Sequence, residues 1–426
     1  VDFGASAWSQ AREIRRFMRS AGIEPVPVRR LIKAVVEGRR ALEKNRQAVL
    51  VQGRQVLESI GPDENVIVLL GRPYNLYHRI LNLGIPELME SLGYRVIPMD
   101  ILPDEATNAD VCARFPDMYW FQGQRILKKA LTIAKHPRYF PVLLSNFSCG
   151  PDSFILSYFE ELAKDKPYLI LELDEHGSAT GYQTRIEAFL DMVAHSAPPR
   201  TVAAAYPTRI RYDMAGMRGR RLWIPQIHPY IPDLWAAMLR RHGYDTQALG
   251  PESQTHCDLG RSFCRGSECL PAALTIGKFI DNVKDSPHED VLIMPRANGP
   301  CRYGQYATLH SRILERVGLE RAQILSPTSA DGYAFFTPEI TRAAWKTACI
   351  GDLLYKLRCR SVPYHTNRDW AERLFDNALA ELGRLIEQGR DWRGAIRDLV
   401  RRLQKEIDYQ APRKPLVGIV GEIFVR

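Results

Sequence analysis

Three cysteines stand on short polar turns just ahead of helix-like runs: Cys149 in "SNFSCGPDS", Cys269 in "GSECLPAALTIG" and Cys301 in "MPRANGPCRYGQY". A helix start offers unpaired N–H groups and a dipole that favour negative charge. That setting favours thiolate, the form of cysteine that binds metal. Thiolates converging from separate helix starts suit an iron–sulfur cluster. Cys264 precedes Cys269 by five residues and lies within reach of the same site. A structural zinc is the alternative metal, although zinc usually draws its ligands from tight local pairs and the chain has no C-x-x-C. The plainer reading is that these are small buried residues near packed glycines. Cys112, Cys349 and Cys359 lie in or beside helical patterns, where packing into the core is expected; Cys257 is open to either role.

The elements that must position these turns follow a strand–turn–helix grammar. Residues 28–60 read as a charged amphipathic helix. "NVIVLLGRPYN" is a strand and turn, "GIPELMESLG" a helix, "YRVIPMD" a strand, and "MYWFQGQRILKKALTIAKH" a helix. "PVLLSNFSCGPDSF" carries the next strand and the first cysteine turn, and "PYLILELDEH" a fourth strand. After residue 220 the pattern restarts in "RLWIPQIHPYIPDLWAAMLRRHGYDTQAL". "DVLIMPRANGPCRYGQY" then repeats the strand–cysteine turn–helix layout, with an Asn three residues before the Cys in both copies: Asn146 and Cys149, Asn298 and Cys301. This is the grammar of parallel sheets. The expected fold is α/β, with tandem Rossmann-like parallel-sheet lobes and helical insertions. The first lobe, with an N-terminal helix, spans 1–197 and a Pro/Gly-bearing linker 198–220. The second lobe spans 221–360 and a helical segment 361–410; residues 411–426 read as the truncated start of a further α/β unit. Open α/β sheets bind ligands beyond the carboxyl ends of their strands, so the cysteine site is expected in the cleft between lobes, with Cys149 reaching it from the first.

Two other turns could do chemistry. "GRPYN" is a glycine turn before a helix, a place that binds anions, but it lacks the spacing of a phosphate loop; a plain turn is the competing reading. "ELDEH" sets Glu172, Asp174, Glu175 and His176 at a strand end, where they serve either acid–base work or capping and surface charge.

Composition excludes more than it assigns. The chain of 426 residues has 45% hydrophobic and 25% charged residues, which is ordinary for a globular protein with a sizeable core. No apolar run approaches the ~20 residues that span a bilayer. No secretory pattern is present, so the expected location is cytoplasmic and the eight cysteines are not a disulfide scaffold. The net charge of +9 is spread rather than clustered, and no aromatic–basic motif of an RNA-binding sheet appears. A solvated basic surface that attracts anionic substrates or acidic partners is expected, with no nucleic-acid or membrane partner.

Together, "LGRPYN", "MYWFQGQRIL", "NFSCGPDSF", "LELDEHGSATGYQTRIEAFLD", "GSECLPAALTIG", "MPRANGPCRYGQY" and "KPLVGIVGEIFVR" resemble the 2-hydroxyacyl-CoA dehydratase activase-related proteins, in their dehydratase D-component-like portion. That portion is similar to 2-hydroxyglutaryl-CoA dehydratase, benzoyl-CoA reductase and double-cubane cluster proteins. The resemblance implies an iron–sulfur cluster held by Cys269 and Cys301, then Cys149. The cluster would be a 4Fe–4S cubane, or a double cubane if Cys264 and others take part. It also implies ATP-dependent, low-potential electron transfer to an acyl-CoA or another small substrate. The electron donor would be a fused or separate activator ATPase of the actin/Hsp70 type. Homo-oligomers are compatible with it. Two other functions stay open: a non-catalytic electron-relay or scaffold module, and a structural zinc protein.

Overall fold

The computed structural model describes residues 6–196, 214–329, 332–405, 407, 408 and 410–421. The chain opens with helices α1 (Ala7–Ser20) and α2 (Val28–Glu58). There follow β1 (Val66–Gly71), α3 (Pro73–Tyr77), α4 (Ile85–Ser91), β2 (Arg95–Pro98), α5 (Asn108–Arg114), α6 (Phe121–Lys135), β3 (Tyr139–Asn146), α7 (Asp152–Ala163), β4 (Leu169–Leu173) and α8 (Ala179–Ala194). The pattern then repeats as β5 (Arg221–Ile224), α9 (Ile231–Arg241), β6 (Thr246–Ala248), α10 (Gln254–Arg261), α11 (Leu270–Val283), β7 (Asp290–Ile293), α12 (Tyr306–Arg316) and β8 (Gln323–Leu325). Three long helices follow: α13 (Pro338–Ser361), α14 (Arg368–Glu387) and α15 (Arg393–Lys405).

The strands form two four-stranded, all-parallel sheets, ordered β2-β1-β3-β4 and β6-β5-β7-β8. Each has the same order when its strands are numbered from its own start, so the restart in the sequence is a real topological repeat. Both sheets are flanked by helices, and the fold is two Rossmann-like α/β lobes. Continuous apolar runs explain the parallel pairing: Val66 to Leu70 are all buried, as a strand covered on both faces requires. In each sheet the first and third strands are neighbours, which makes the carboxyl ends of β1/β3 and of β5/β7 the places where strand order reverses.

By contact the chain groups into two units. The first comprises Val1–Thr107, Arg125–Phe147 and Glu160–Ala203; the second comprises Asn108–Gln124, Ser148–Phe159 and Ala204–Arg426. The first holds the β1–β4 sheet. Its Lys166 ammonium donates to the carbonyls of Ile133 (2.8 Å), His136 (2.6 Å) and Tyr139 (3.0 Å), pinning the end of α6 to the start of β3. The second holds the β5–β8 sheet, and one apolar core joins Leu222, Ile224 and Ile293 of the sheet to Leu234, Leu354, Phe375, Leu382, Leu399 and Leu403 of α9, α13, α14 and α15.

Of the expected connector, residues 198–213 lie outside the described residues. Its last part is a short 3-10 turn, Ala215–Met217, flanked by Met214; both methionines are buried in the core of the second unit. The helix read over "MYWFQGQRIL" begins at Phe121, three residues late, because Met118 to Trp120 are held in a turn described below. Residues 412–420 adopt no regular element, and Leu416, Val417, Ile419 and Val420 are exposed; residues 422–426 lie outside the described residues. No helix among the described residues is long and apolar enough to cross a membrane.

Candidate functional site

Cys149, Cys264, Cys269 and Cys301 all belong to the second unit, because Ser148–Phe159 groups with the β5–β8 sheet rather than with the strand that leads into it. Cys149 follows β3 by three residues, and Cys301 follows β7 by eight. Both therefore stand past the carboxyl ends of equivalent strands. Ser148 turns the chain with a left-handed backbone (φ 57°), and the Ser153 N–H donates to the Cys149 carbonyl at 3.1 Å as α7 begins. Cys269 is the N-cap of α11, with Pro271 in the first helical turn. Cys301 is the N-cap of a 3-10 turn, Arg302–Gln305, that runs into α12. The paired asparagines do not share an environment: Asn146 ends β3 half-buried, whereas Asn298 is exposed.

Arg302 joins the three turns. Directly after Cys301, it sends Nη1 to the hydroxyl of Ser153 (3.0 Å) and to the carbonyl of Ser267 (3.1 Å). Ser153 lies four residues beyond Cys149, and Ser267 two before Cys269. Its side chain also covers Gly150, where an added Cβ would sit 3.6 Å from the Arg302 Cδ and Nε. Glu268 shapes the same region. Its carboxylate accepts the N–H groups of Arg265 (3.2 Å) and Gly266 (3.0 Å) and a long bond from the Ser157 hydroxyl (3.5 Å).

A second set of contacts braces the Cys301 turn. The Tyr119 hydroxyl donates to the Cys301 carbonyl and the Trp120 indole N–H to the Gly299 carbonyl, both at 3.0 Å. The turn carrying these aromatics is fixed by Asp117, which is buried. Its carboxylate pairs with Arg296 and accepts from Thr308 at 2.5 Å, while its carbonyl accepts from Gln305. Gly304 is required here, since a Cβ would lie 2.4 Å from the Tyr119 oxygen and 2.7 Å from the Ala297 carbonyl. Burial raises the Tyr119 hydroxyl above its ordinary value, so it stays a donor.

The Cys269 turn is positioned by a close helix crossing. A Cβ on Gly260 of α10 would fall 1.8 Å from the Ala273 carbonyl, and one on Gly277 of α11 would fall 1.9 Å from the His256 carbonyl. The two backbones touch at these glycines, and the loop between the helices carries both Cys264 and Cys269. Cys264 differs from the others in charge. Burial first, then the Glu268 carboxylate, pushes its thiol up to about 12, so it is protonated at neutral pH.

None of the eight cysteines forms a disulfide. Among the described residues no three His, Cys, Asp or Glu side chains converge on a point where a single metal ion would be held. Cys257 is buried within α10 and acts as core. The core expectation fails for Cys349 and Cys359, which are exposed. On α13 the buried stripe is Ile340, Thr347, Ile350, Gly351 and Leu354, and the cysteines lie on the opposite face. The other two motifs make bonds that hold local structure. In "GRPYN", the buried Asn75 amide donates to the Leu144 carbonyl at 3.2 Å. In "ELDEH", the Asp174 carboxylate accepts the His176 N–H at 3.1 Å, and Glu175 and His176 point to solvent.

Sequence reasoning missed Arg302, Glu268, Asp117, Arg296, Tyr119 and Trp120 as members of the site. Five of them, Arg302, Glu268, Arg296, Tyr119 and Trp120, sit inside motifs singled out for their cysteine or helix, where their own side chains carried no signal.

No curated protein and no solved structure matches this chain. Residues 5–102 match the model of the CoA enzyme activase uncharacterised domain (DUF2229), a segment that includes α1 to β2 and contains none of the eight cysteines. The chain thus contains a domain associated with CoA-enzyme activases.

Proposed function

We propose that this chain is the cluster-bearing portion of an ATP-dependent, low-potential reductase or dehydratase of the 2-hydroxyacyl-CoA dehydratase and benzoyl-CoA reductase type. Cys149, Cys269 and Cys301 are its cluster ligands, and Cys264 is a reserve. One observation carries the reading: the Arg302 guanidinium binds the residues flanking Cys149 and Cys269 while following Cys301 in the chain. A single side chain thus gathers three thiol-bearing turns. The donor set fits a cluster better than a lone ion. A cubane takes one thiolate at each corner iron, so its ligands come from separate turns, as Cys149, Cys269 and Cys301 do.

When bound, such a cluster supplies one-electron transfer at low potential. The chain's own residues hold and tune it. Cys269 and Cys301 stand at helix starts, where backbone N–H groups favour a negatively charged ligand. Arg302 adds a fixed positive charge beside Cys301. Tyr119 and Trp120 hold the Cys301 turn in place through its carbonyls, so its thiol is aimed without using a side-chain partner. Burial first, and the Glu268 carboxylate second, keep Cys264 protonated, which makes it the reserve ligand. The partner this reading requires is an ATP-hydrolysing activator of the actin/Hsp70 type. The activase-associated domain at residues 5–102 supports that association.

The test is reconstitution. The anaerobically purified chain is titrated with ferrous iron and sulfide and followed by visible absorption and EPR. Equal iron and sulfide uptake with a charge-transfer band is expected. Zinc uptake without sulfide, and no such band, would overturn the proposal.

A further inference from the structure

A cavity of about 570 Å³ opens in the second unit beyond the carboxyl ends of β5, β7 and β8. Its floor is Ile224 and Ile293, the last residues of β5 and β7, and its walls include Trp235 and Met238 of α9, Phe336, and Ile340 of α13. It lies where the strand order of the β6-β5-β7-β8 sheet reverses, the location at which open α/β sheets take ligands. Its size and apolar lining are those of a small-molecule site.

The cavity has a charged lip. Arg342 and Lys346 both line it, one helical turn apart on the exposed face of α13, and neither is in an ion pair among the described residues. Trp345 lies between them in the chain, lines the cavity and is 74% exposed, an unusual exposure for so large an apolar ring. Tyr333, also in the lining, holds a left-handed backbone (φ 60°), which is uncommon for a bulky residue and concentrates at ligand clamps. The Trp235 indole N–H is satisfied by the Ala344 carbonyl at 2.9 Å, so that ring offers the cavity only its apolar surface. None of the four candidate cluster cysteines lines the cavity.

We infer that this cavity is a binding site for a fatty-acid-type carboxylate, its apolar chain lying against the ends of β5 and β7 and its carboxylate on Arg342 and Lys346. The apolar walls exclude a sugar or nucleotide body, which would leave buried polar groups unpaired. The two cations on one side select an anionic head over a neutral one. The site stands independently of the cluster reading, since it uses other residues.

The probe is dodecanoate, measured on the full chain by isothermal titration and by tryptophan fluorescence. One saturable site is expected, with Trp235 and Trp345 emission changing on binding. The double variant R342E/K346E changes two exposed residues of α13 and is expected to keep its circular dichroism and melting temperature while binding dodecanoate at least tenfold more weakly. Dodecanol is expected to bind at least tenfold more weakly than dodecanoate to the unaltered chain. Ala344→Phe, which fills the cavity, is expected to abolish binding while its circular dichroism and melting temperature show a folded protein; Ala344→Leu serves the same purpose if the larger ring unfolds it. Absence of saturable binding, equal affinity for dodecanol, or unchanged affinity in the charge-reversed variant would each overturn the proposal.

Discussion

Arg302 and Asp117 make the candidate site a single structure at the level of side chains. Arg302→Ala removes two charge-assisted bonds, to Ser153 and Ser267. A loss of about 2–3 kcal/mol in stability is expected from urea unfolding. Both bonds leave a single nitrogen, so Arg302→Lys, whose ammonium carries three donors, is expected to lose less stability than Arg302→Ala. Asp117 is buried against Arg296, so Asp117→Ala leaves a charge without its partner and is expected to cost about 3–5 kcal/mol. The cysteines themselves differ in reactivity. In the cluster-free chain at pH 8, iodoacetamide is expected to label exposed Cys301, Cys349 and Cys359 first, with Cys264 and buried Cys257 well behind them, as peptide mapping would read. Labelling of Cys264 as fast as Cys301 would show that its thiol is not held up. The sign for stability follows from the same shift. Above the ordinary thiol value and up to about 12 the folded chain keeps a proton that the unfolded chain loses, so this thiol destabilises the fold as pH rises through that window. The cysteine turns were legible in the sequence because strand, glycine or proline, and helix signals flank them locally. Arg302's partners were not, because Ser153 lies 149 residues from it and only the fold brings them together.

Helices and turns carry the next level of positioning. The crossing of α10 and α11 at Gly260 and Gly277 leaves no room for a methyl group on either side. Gly260→Ala and Gly277→Ala are each expected to cost about 3 kcal/mol or more, measured by urea unfolding, since backbone rather than a flexible side chain must move. Wild-type stability in either variant would show that the helices do not pack through these glycines. In the first unit, burial pushes the Lys166 ammonium down to about 8. The unfolded chain then holds a proton that the folded chain releases, so stability is expected to rise with pH from about 8 to the ordinary lysine value. Urea midpoints of the wild type and Lys166→Met at pH 7.5 and 9.5 check this; the variant is expected to lose that slope along with its three carbonyl bonds. Strand positions were readable because parallel strands buried on both faces are unbroken apolar runs. The late start of α6 was not, because helix propensity over Met118 to Trp120 loses to the Asp117 network from distant segments. The exposure of Cys349 and Cys359 was likewise hidden, since α13 carries apolar residues on more than one face and only packing selects the buried one.

For the molecule as a whole, the repeat is what the sequence conveyed best. Two parallel sheets of the same strand order were foreshadowed by two copies of one strand–turn–helix pattern. What the pattern did not convey is which residues group together. The segment Ser148–Phe159 continues the third strand of the first sheet in chain order, yet belongs by contact to the unit of the second. That grouping places Cys149, Cys269 and Cys301 in one unit and makes the cluster reading a statement about one folded body. The activase-associated domain at residues 5–102 precedes all eight cysteines in sequence, so the segment that suggests the partner is separate from those that bear the thiols. The most direct measurement is iron and acid-labile sulfide per chain, with EPR after reduction, in anaerobically reconstituted wild type and in Cys149→Ser, Cys269→Ser, Cys301→Ser and the control Cys349→Ser. A cluster is expected in the wild type and in Cys349→Ser, with severe loss of iron and signal in the other three. Unchanged iron, sulfide and EPR in Cys149→Ser, Cys269→Ser and Cys301→Ser would contradict the cluster reading.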